Sequence, residues 1–395
     1  MNAVDRRAIA LLAVAGFAST AAFRVCDPFL PQLAAAFDTT TGKAARVITA
    51  FALAYGVLQI FYGPLADRYG KYRVVATATL ACAVGSLGCA AAGSLDELVF
   101  FRVIAGMTGG GIVPLSMAWI GDVVPYAERQ ATLARFLMGT ILGMAGGQFL
   151  GGVFADTLGW RVAFVVLAAC YVGVGLLLRA EIARHRAAGL YVPATPARER
   201  FVVKIARVLA LRWARVVLAA AFVEGAAVFG ALAFVPAHLH DRYGLSLTIA
   251  GTVVAVYGLG GLAYTALARR MIARLGEQGL ARFGGALLCI AYLALPVAPS
   301  WPLAFAASFV AGLGFYMLHS TLQTNATQMA PASRGTAVSL FASSLFLGQA
   351  AGVAVGALIV DIAGARWLFS ISAMPLPILG AAFASALTRR ASTAA

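Results

Sequence analysis

Five ionisable side chains in this 395-residue chain fall well inside long apolar runs: Arg24, Asp27, Arg102, Glu224 and His319. Such groups are costly in hydrocarbon and by default mark a path for ions or protons. A carboxylate among apolar groups favours its neutral form, and a neighbouring arginine favours the charged one. Asp27 lies on the same helical face as Arg24, at i, i+3, so it has the make-up of a group that takes up and releases a proton as the arginine moves. The plainer alternative is a static ion pair of Arg24, Asp27 and Arg102. Glu224 has no basic residue at helical spacing within the membrane. It could carry a proton, bind a cationic or polar substrate, or sit protonated against a neighbouring helix. His319 precedes Gln323, Asn325 and Gln328, and could equally lie at the cytoplasmic interface.

The elements that hold these groups are long and apolar. The chain is 62% hydrophobic and 11% charged, with mean hydropathy +0.88. Twelve apolar runs have the length that a hydrocarbon core of roughly 30 Å demands of a helix: 8–30, 44–62, 74–93, 97–119, 133–154, 160–179, 216–237, 248–268, 280–298, 301–321, 336–359 and 366–388. Numbered from an N-terminus on the inside, the inside segments hold 23 of the 30 Lys and Arg residues and the outside segments five; Arg24 and Arg102 are the other two. This asymmetry predicts a multi-pass protein of the cytoplasmic (inner) membrane with both termini in the cytoplasm. It also accounts for the net charge of +15 through an anionic leaflet, with no nucleic-acid partner. Helix rise then places Asp27 in the outer third and Arg102 near the outer side, so that the two could pair. Glu224 falls in the inner half and His319 nearer the inner end.

The chain repeats itself. Arg129, Gly143, Gly147, Gly151, Asp156, Gly159, Arg161 and Phe164 recur 205 residues later as Arg334, Gly348, Gly352, Gly356, Asp361, Gly364, Arg366 and Phe369. Phe29 and Pro31 likewise recur as Phe234 and Pro236. An all-α integral membrane fold follows: two six-helix bundles, 1–179 and 216–395, related by a pseudo-two-fold axis along the membrane normal. A basic cytoplasmic linker, 180–215, joins them, with an amphipathic interfacial helix near 200–212. The five cysteines all lie in apolar runs, without metal spacing. Arg6 and Arg7 before an apolar stretch imitate a signal peptide, but that stretch continues into Arg24, Asp27 and two prolines; it reads as a retained first helix.

The segment Gly63-Pro-Leu-Ala-Asp-Arg-Tyr-Gly-Lys-Tyr-Arg73 is a charged loop between apolar runs. It resembles the signature loop between the second and third helices of major facilitator superfamily transporters. Gly63, Leu65, Asp67, Arg68 and Gly70 match, and Lys71 keeps the charge of the usual arginine. The resemblance implies a twelve-helix fold whose helices 1, 4, 7 and 10, the four that carry the five ionisable groups, line a central cavity. It implies that loop 63–73, with Asp67, Arg68, Lys71 and Arg73, is a gate latch partnered by Asp122. Asp27-Pro28-Phe29-Leu30-Pro31 resembles the acidic-proline pattern on helix 1 of drug/proton antiporters in this superfamily. Arg102 with Gly106 partly matches the helix 4 motif, whose arginine is linked to proton transfer. Gly143, Gly147, Gly151 and Gly152 resemble the exporter motif of helix 5, except that Gln148 stands where a proline is expected.

The function expected from these features is secondary active transport: proton-coupled efflux of a small lipophilic or amphiphilic compound by alternating access. Asp27, Arg102, Glu224 and Arg24 are the proton-coupling set. Tyr55, Gln59, Tyr257 and His319, with Tyr264, are the expected substrate-lining residues, too few in polar groups for a sugar. The alternatives are a proton/metabolite symporter or facilitator, and a non-transporting membrane sensor. No nucleotide loop or metal-ligand cluster is present in the sequence, so an enzyme, a cofactor and ATP-driven pumping by this chain are not expected. The partners are protons, the bilayer and the substrate, and the chain is expected to act as a monomer.

Overall fold

The computed structural model describes residues 3–187 and 201–394. The rest of the expected linker, 188–200, lies outside the described residues. Among these residues there is no strand. Span 1 is Arg6–Arg24, span 2 the bent pair Thr41–Gln59 and Tyr62–Tyr69, span 3 Lys71–Ala91, span 4 Leu95–Val123, span 5 Glu128–Asp156 and span 6 Trp160–Arg184. Span 7 is Arg212–Tyr243, spans 8 and 9 share Leu247–Val297, and spans 10, 11 and 12 are Leu303–Gln328, Pro331–Ala363 and Ala365–Arg390. We name the faces inner and outer from the basic-residue pattern.

The run Leu247–Val297 is two antiparallel spans. Gly276 interrupts the helix with φ 61 and ψ 179, a backbone region that glycine enters without a Cβ clash. Gly260 lies against Phe309 and Leu313 of span 10, and Gly284 against Gly314 and Leu318 of the same helix. In one straight helix those two glycines would be about 36 Å apart. The chain therefore reverses at Gly276, and the described residues make twelve spans.

The first span of each half is broken at the same point. Apolar run 8–30 was expected as one helix, but the helix ends at Arg24, a turn covers 25–29, and Leu30–Ala36 resumes. Pro28 lacks an amide hydrogen, and Pro31 suits the first turn of the new helix. In span 7 the α-helix ends at Glu224, a π-helical turn follows over Gly225–Phe229, and Val235–Tyr243 restarts with Pro236 near its N-terminus. After 188–200, the amphipathic helix Phe201–Ala210 leads into span 7, with the Phe201 ring 6.0 Å from that of Phe61.

Spans 1 and 5 pack along the glycine row. A Cβ at Gly143, Gly147 or Gly151 would come within 2.6 Å of the carbonyl oxygens of Phe17, Ala21 or Val25, respectively. Span 7 meets span 11 the same way: Gly348 lies on Phe222 O and Gly352 on Ala226 O. Close backbone approach of this kind replaces the hydrophobic drive that helices lack in lipid. Gly152 instead faces Leu247 of span 8, so one glycine motif serves both the half's interior and its seam with the other half.

Candidate functional site

Asp27 sits in the span 1 break and is fully buried. Arg24 Nη1 donates to its Oδ2 at 3.4 Å, and Gln148 Nε2 of span 5 donates to the same oxygen at 2.5 Å. The Arg24 guanidinium also lies 4.4 Å from the Phe229 ring of span 7. Arg24 Nε and Nη2, Asp27 Oδ1 and Gln148 Oε1 are buried without a partner. A cavity of about 20 Å3, the scale of a single water, is lined by Arg24, Gln148, Tyr257 and Tyr316 and lies between the halves. The hydroxyl of Tyr257 is also buried and unpartnered. Polar side chains of both halves, Arg24 and Gln148 from one and Tyr257 and Tyr316 from the other, thus face this space.

Arg102 does not join this pair. Its Nε donates to Val47 O at 3.2 Å, its Nη1 to Ala22 O at 3.1 Å, and its guanidinium stacks on Phe51 at 4.0 Å. The expected Asp27–Arg102 contact is therefore replaced by backbone carbonyls of spans 1 and 2. They take two of its three nitrogens and tie three helices together, while Nη2 is buried without a partner. Gly106, one turn on, lets span 4 approach Phe51 O closely enough for this.

Glu224 ends the regular part of span 7 and is fully buried. Its Oε2 lies 2.8 Å from His319 Nδ1 of span 10, while Oε1 has no partner. His319 stacks on Phe315, with centroids 4.8 Å apart, and faces Phe341 at 5.4 Å. Phe315 in turn touches Phe229, Tyr257 and Tyr316. An unbroken set of rings thus joins Arg24 to the Glu224–His319 pair. Tyr55 and Gln59 lie elsewhere, buried in the seam of spans 2 and 11, where Tyr55 meets Phe346 at 4.5 Å. The hydroxyls of Tyr264 and Ser320 are 2.6 Å apart.

The outer face is sealed by two matching contacts between halves. Asp156, at the end of span 5, accepts from the amides of Leu247 and Thr248 at 3.0 and 2.7 Å. Asp361, at the end of span 11, accepts from the Gly42 amide at 3.0 Å and from Thr40 Oγ1 at 2.7 Å. Each aspartate caps a helix N-terminus of the opposite half, where free amides and the helix dipole favour an anion. Below them Gly251 fits against Gln148 O. On the inner face Lys71 Nζ meets Asp122 at 2.5 Å, within one half. Asp67 has no hydrogen bond or ion pair among the described residues.

The sequence profile of the Major Facilitator Superfamily matches residues 12–341 and 217–395. The chain belongs to the Major Facilitator Superfamily. Among curated relatives, the uncharacterized MFS-type transporter YceJ of Bacillus subtilis (strain 168) is 26% identical over 337 residues, covering 83% of each chain. A chloramphenicol resistance protein of Streptomyces lividans is 28% identical over 348 residues, 88% of this chain and 87% of that one. A bacterial homologue of the human lysosomal transporter Spinster, solved inward-facing and unoccupied, superposes with a TM-score of 0.75 at 18% identity over 98% of both chains. As a member of this superfamily the chain is a multi-pass membrane transporter and not an enzyme.

Within this superfamily fold, two roles were illegible in sequence. Gln148 stood out as a missing proline, yet its amide is the shortest contact to Asp27. The available signal was a lone amide in the outer half of an apolar run, which requires a partner. His319 was read as substrate-lining or interfacial, not as the partner of Glu224. Counting residues from the inner ends puts Glu224 about 18 Å and His319 about 13 Å deep, near enough to meet.

Proposed function

We propose that this transporter exports a small lipophilic or amphiphilic compound across the inner membrane in exchange for protons, by rocking of its two halves about the central site. The observation that carries the reading is Asp27: a buried carboxylate in a helix break, held by Arg24 and Gln148, beside a cavity that both halves line. Moving span 5 relative to span 1 changes the donors that Asp27 sees, and with them its hold on a proton. Rocking would part the aspartate caps of the outer face while the loop 63–73 engages the second half. The ring-lined centre, with few hydrogen-bonding groups, suits an apolar or amphiphilic body. A Streptomyces relative is named for chloramphenicol resistance, so chloramphenicol is the first compound to try.

The test is proton release from detergent-purified protein on adding compound, with wild type against Asp27→Asn. Release that disappears in the variant supports exchange at Asp27. Unchanged release moves the coupling site to Glu224. Binding without release refutes proton exchange and favours a facilitator.

A further inference from the structure

Gln148 faces two ways. Its Nε2 donates to Asp27 Oδ2 at 2.5 Å, while its Oε1 is buried without a partner. The same side chain lines the cavity of about 20 Å3 together with Arg24, Tyr257 and Tyr316. Gln148, Arg24 and Tyr257 are 3%, 1% and 5% exposed. Each brings an unpartnered polar atom: Gln148 Oε1, Arg24 Nε and Nη2, and the Tyr257 hydroxyl. Leaving such atoms unpaired is costly, and a space of this size fits one small hydrogen-bonding group, a water or the polar tip of a larger molecule.

The orientation of the amide follows from the charge of Asp27. A carboxylate only accepts, so it holds the NH2 end of Gln148 and leaves the carbonyl end for the cavity. A protonated carboxyl has an O–H to donate, which the carbonyl end takes. Half a turn about the last torsion of Gln148 exchanges the two ends at nearly constant volume, and that torsion is broad and two-fold. The continuous helix Tyr126–Asp156 need not move. The cavity then loses its amide acceptor and meets the Gln148 NH2 beside the N–H groups of Arg24. The other charged and titratable groups around Asp27 do not make this exchange. Arg24 is a cation in both states. Arg102 of span 4 acts on Asp27 through space, with its Nε and Nη1 on Val47 and Ala22. Cys26 is the chain neighbour, and span 5 has no titratable side chain between Arg135 and Asp156. Tyr257 and Tyr316 face the cavity from spans 8 and 10, and a hydroxyl serves as donor or acceptor in either state.

We propose that Gln148 is a positioning residue that carries the proton state of Asp27 to the central cavity by turning its amide over. With Asp27 charged, the cavity takes a group that presents an O–H or N–H to Oε1. With Asp27 protonated, it turns that group away and favours a bare acceptor. This role rests on Asp27 being the group that exchanges the proton, and it supplies the step by which the exchange reaches the bound compound.

The test is infrared difference spectroscopy of the full-length protein, acid minus alkaline, with its glutamine side-chain carbonyls labelled with 13C. The Gln148 band is the one lost in Gln148→Met, or in Gln148→Asn should the methionine variant not fold. It should shift to lower frequency in step with growth of the Asp27 carboxyl band, because its oxygen then accepts an O–H. Asp27→Asn should remove the carboxyl band and hold the Gln148 band fixed across the same pH range. A Gln148 band that stays fixed while the Asp27 band grows overturns the amide turn and leaves proton exchange at Asp27 standing. A Gln148 band that still shifts in Asp27→Asn also overturns it. No Asp27 carboxyl band anywhere in the folded pH range overturns both.

Discussion

Replacing Asp156 and Asp361 by alanine removes both caps that hold the outer face shut. Each carboxylate accepts two hydrogen bonds of 2.7–3.0 Å from the other half. Bonds to a charged group contribute about 1.5–3 kcal/mol when buried. Both aspartates are exposed, so about 1 kcal/mol per bond is the sounder figure, or about 2 kcal/mol per cap. One substitution should then shift the balance of outer-closed to outer-open protein about thirtyfold. The caps sit in separate helix pairs, so the double variant should add to about 4 kcal/mol, about a thousandfold. Spin labels at Leu158→Cys and Ile362→Cys, exposed outer positions of opposite halves, report the gap by pulsed dipolar spectroscopy. Wild type should show one short distance. The single variants should show a long-distance fraction, and the double variant mainly the long distance. If the double variant keeps the wild-type distribution, the caps do not hold the outer face and the reasoning fails.

Other substitutions test the interior. His319→Ala strands Glu224 without its partner and should destabilise by about 3–5 kcal/mol; adding Glu224→Gln should recover most of that loss, read from thermal unfolding in detergent. Gln148→Leu removes the shortest hydrogen bond to Asp27 and leaves its Oδ2 with Arg24 alone, so it should destabilise by about 1–3 kcal/mol, read from thermal unfolding in detergent. Gly147→Val would drive a Cβ to 2.4 Å from Ala21 O and should cost about 1–3 kcal/mol through separation of spans 1 and 5, seen as a lower unfolding midpoint.

The twelve spans were legible because apolar length and the placement of arginine are local properties of the sequence. Span 8 to 9 is instructive: the gap between apolar runs 248–268 and 280–298 marked a loop, and the structure turns there at Gly276 within a nearly continuous helix. Side-chain partnerships were less legible. Arg24 and Asp27 were paired from i, i+3 spacing and do meet. Asp27 and Gln148 are 121 residues apart, and Glu224 and His319 are 95, so their meeting depends on helix rotation, which hydropathy does not encode. Arg102 shows the reverse: depth alone permitted contact with Asp27, but rotation turned its guanidinium to Val47 and Ala22.

The missing proline of span 5 has a mechanical side. With Gln148 in its place, Tyr126–Asp156 runs as one helix of about 46 Å, and its counterpart Arg334–Ala363 is equally continuous. Spans 1 and 7, which lie against them, are both interrupted. The transporter thus pairs two stiff levers with two jointed rods. A push at the inner end of a lever arrives undiminished at its aspartate tip, whereas the jointed rods take up the motion where Asp27 and Glu224 reside.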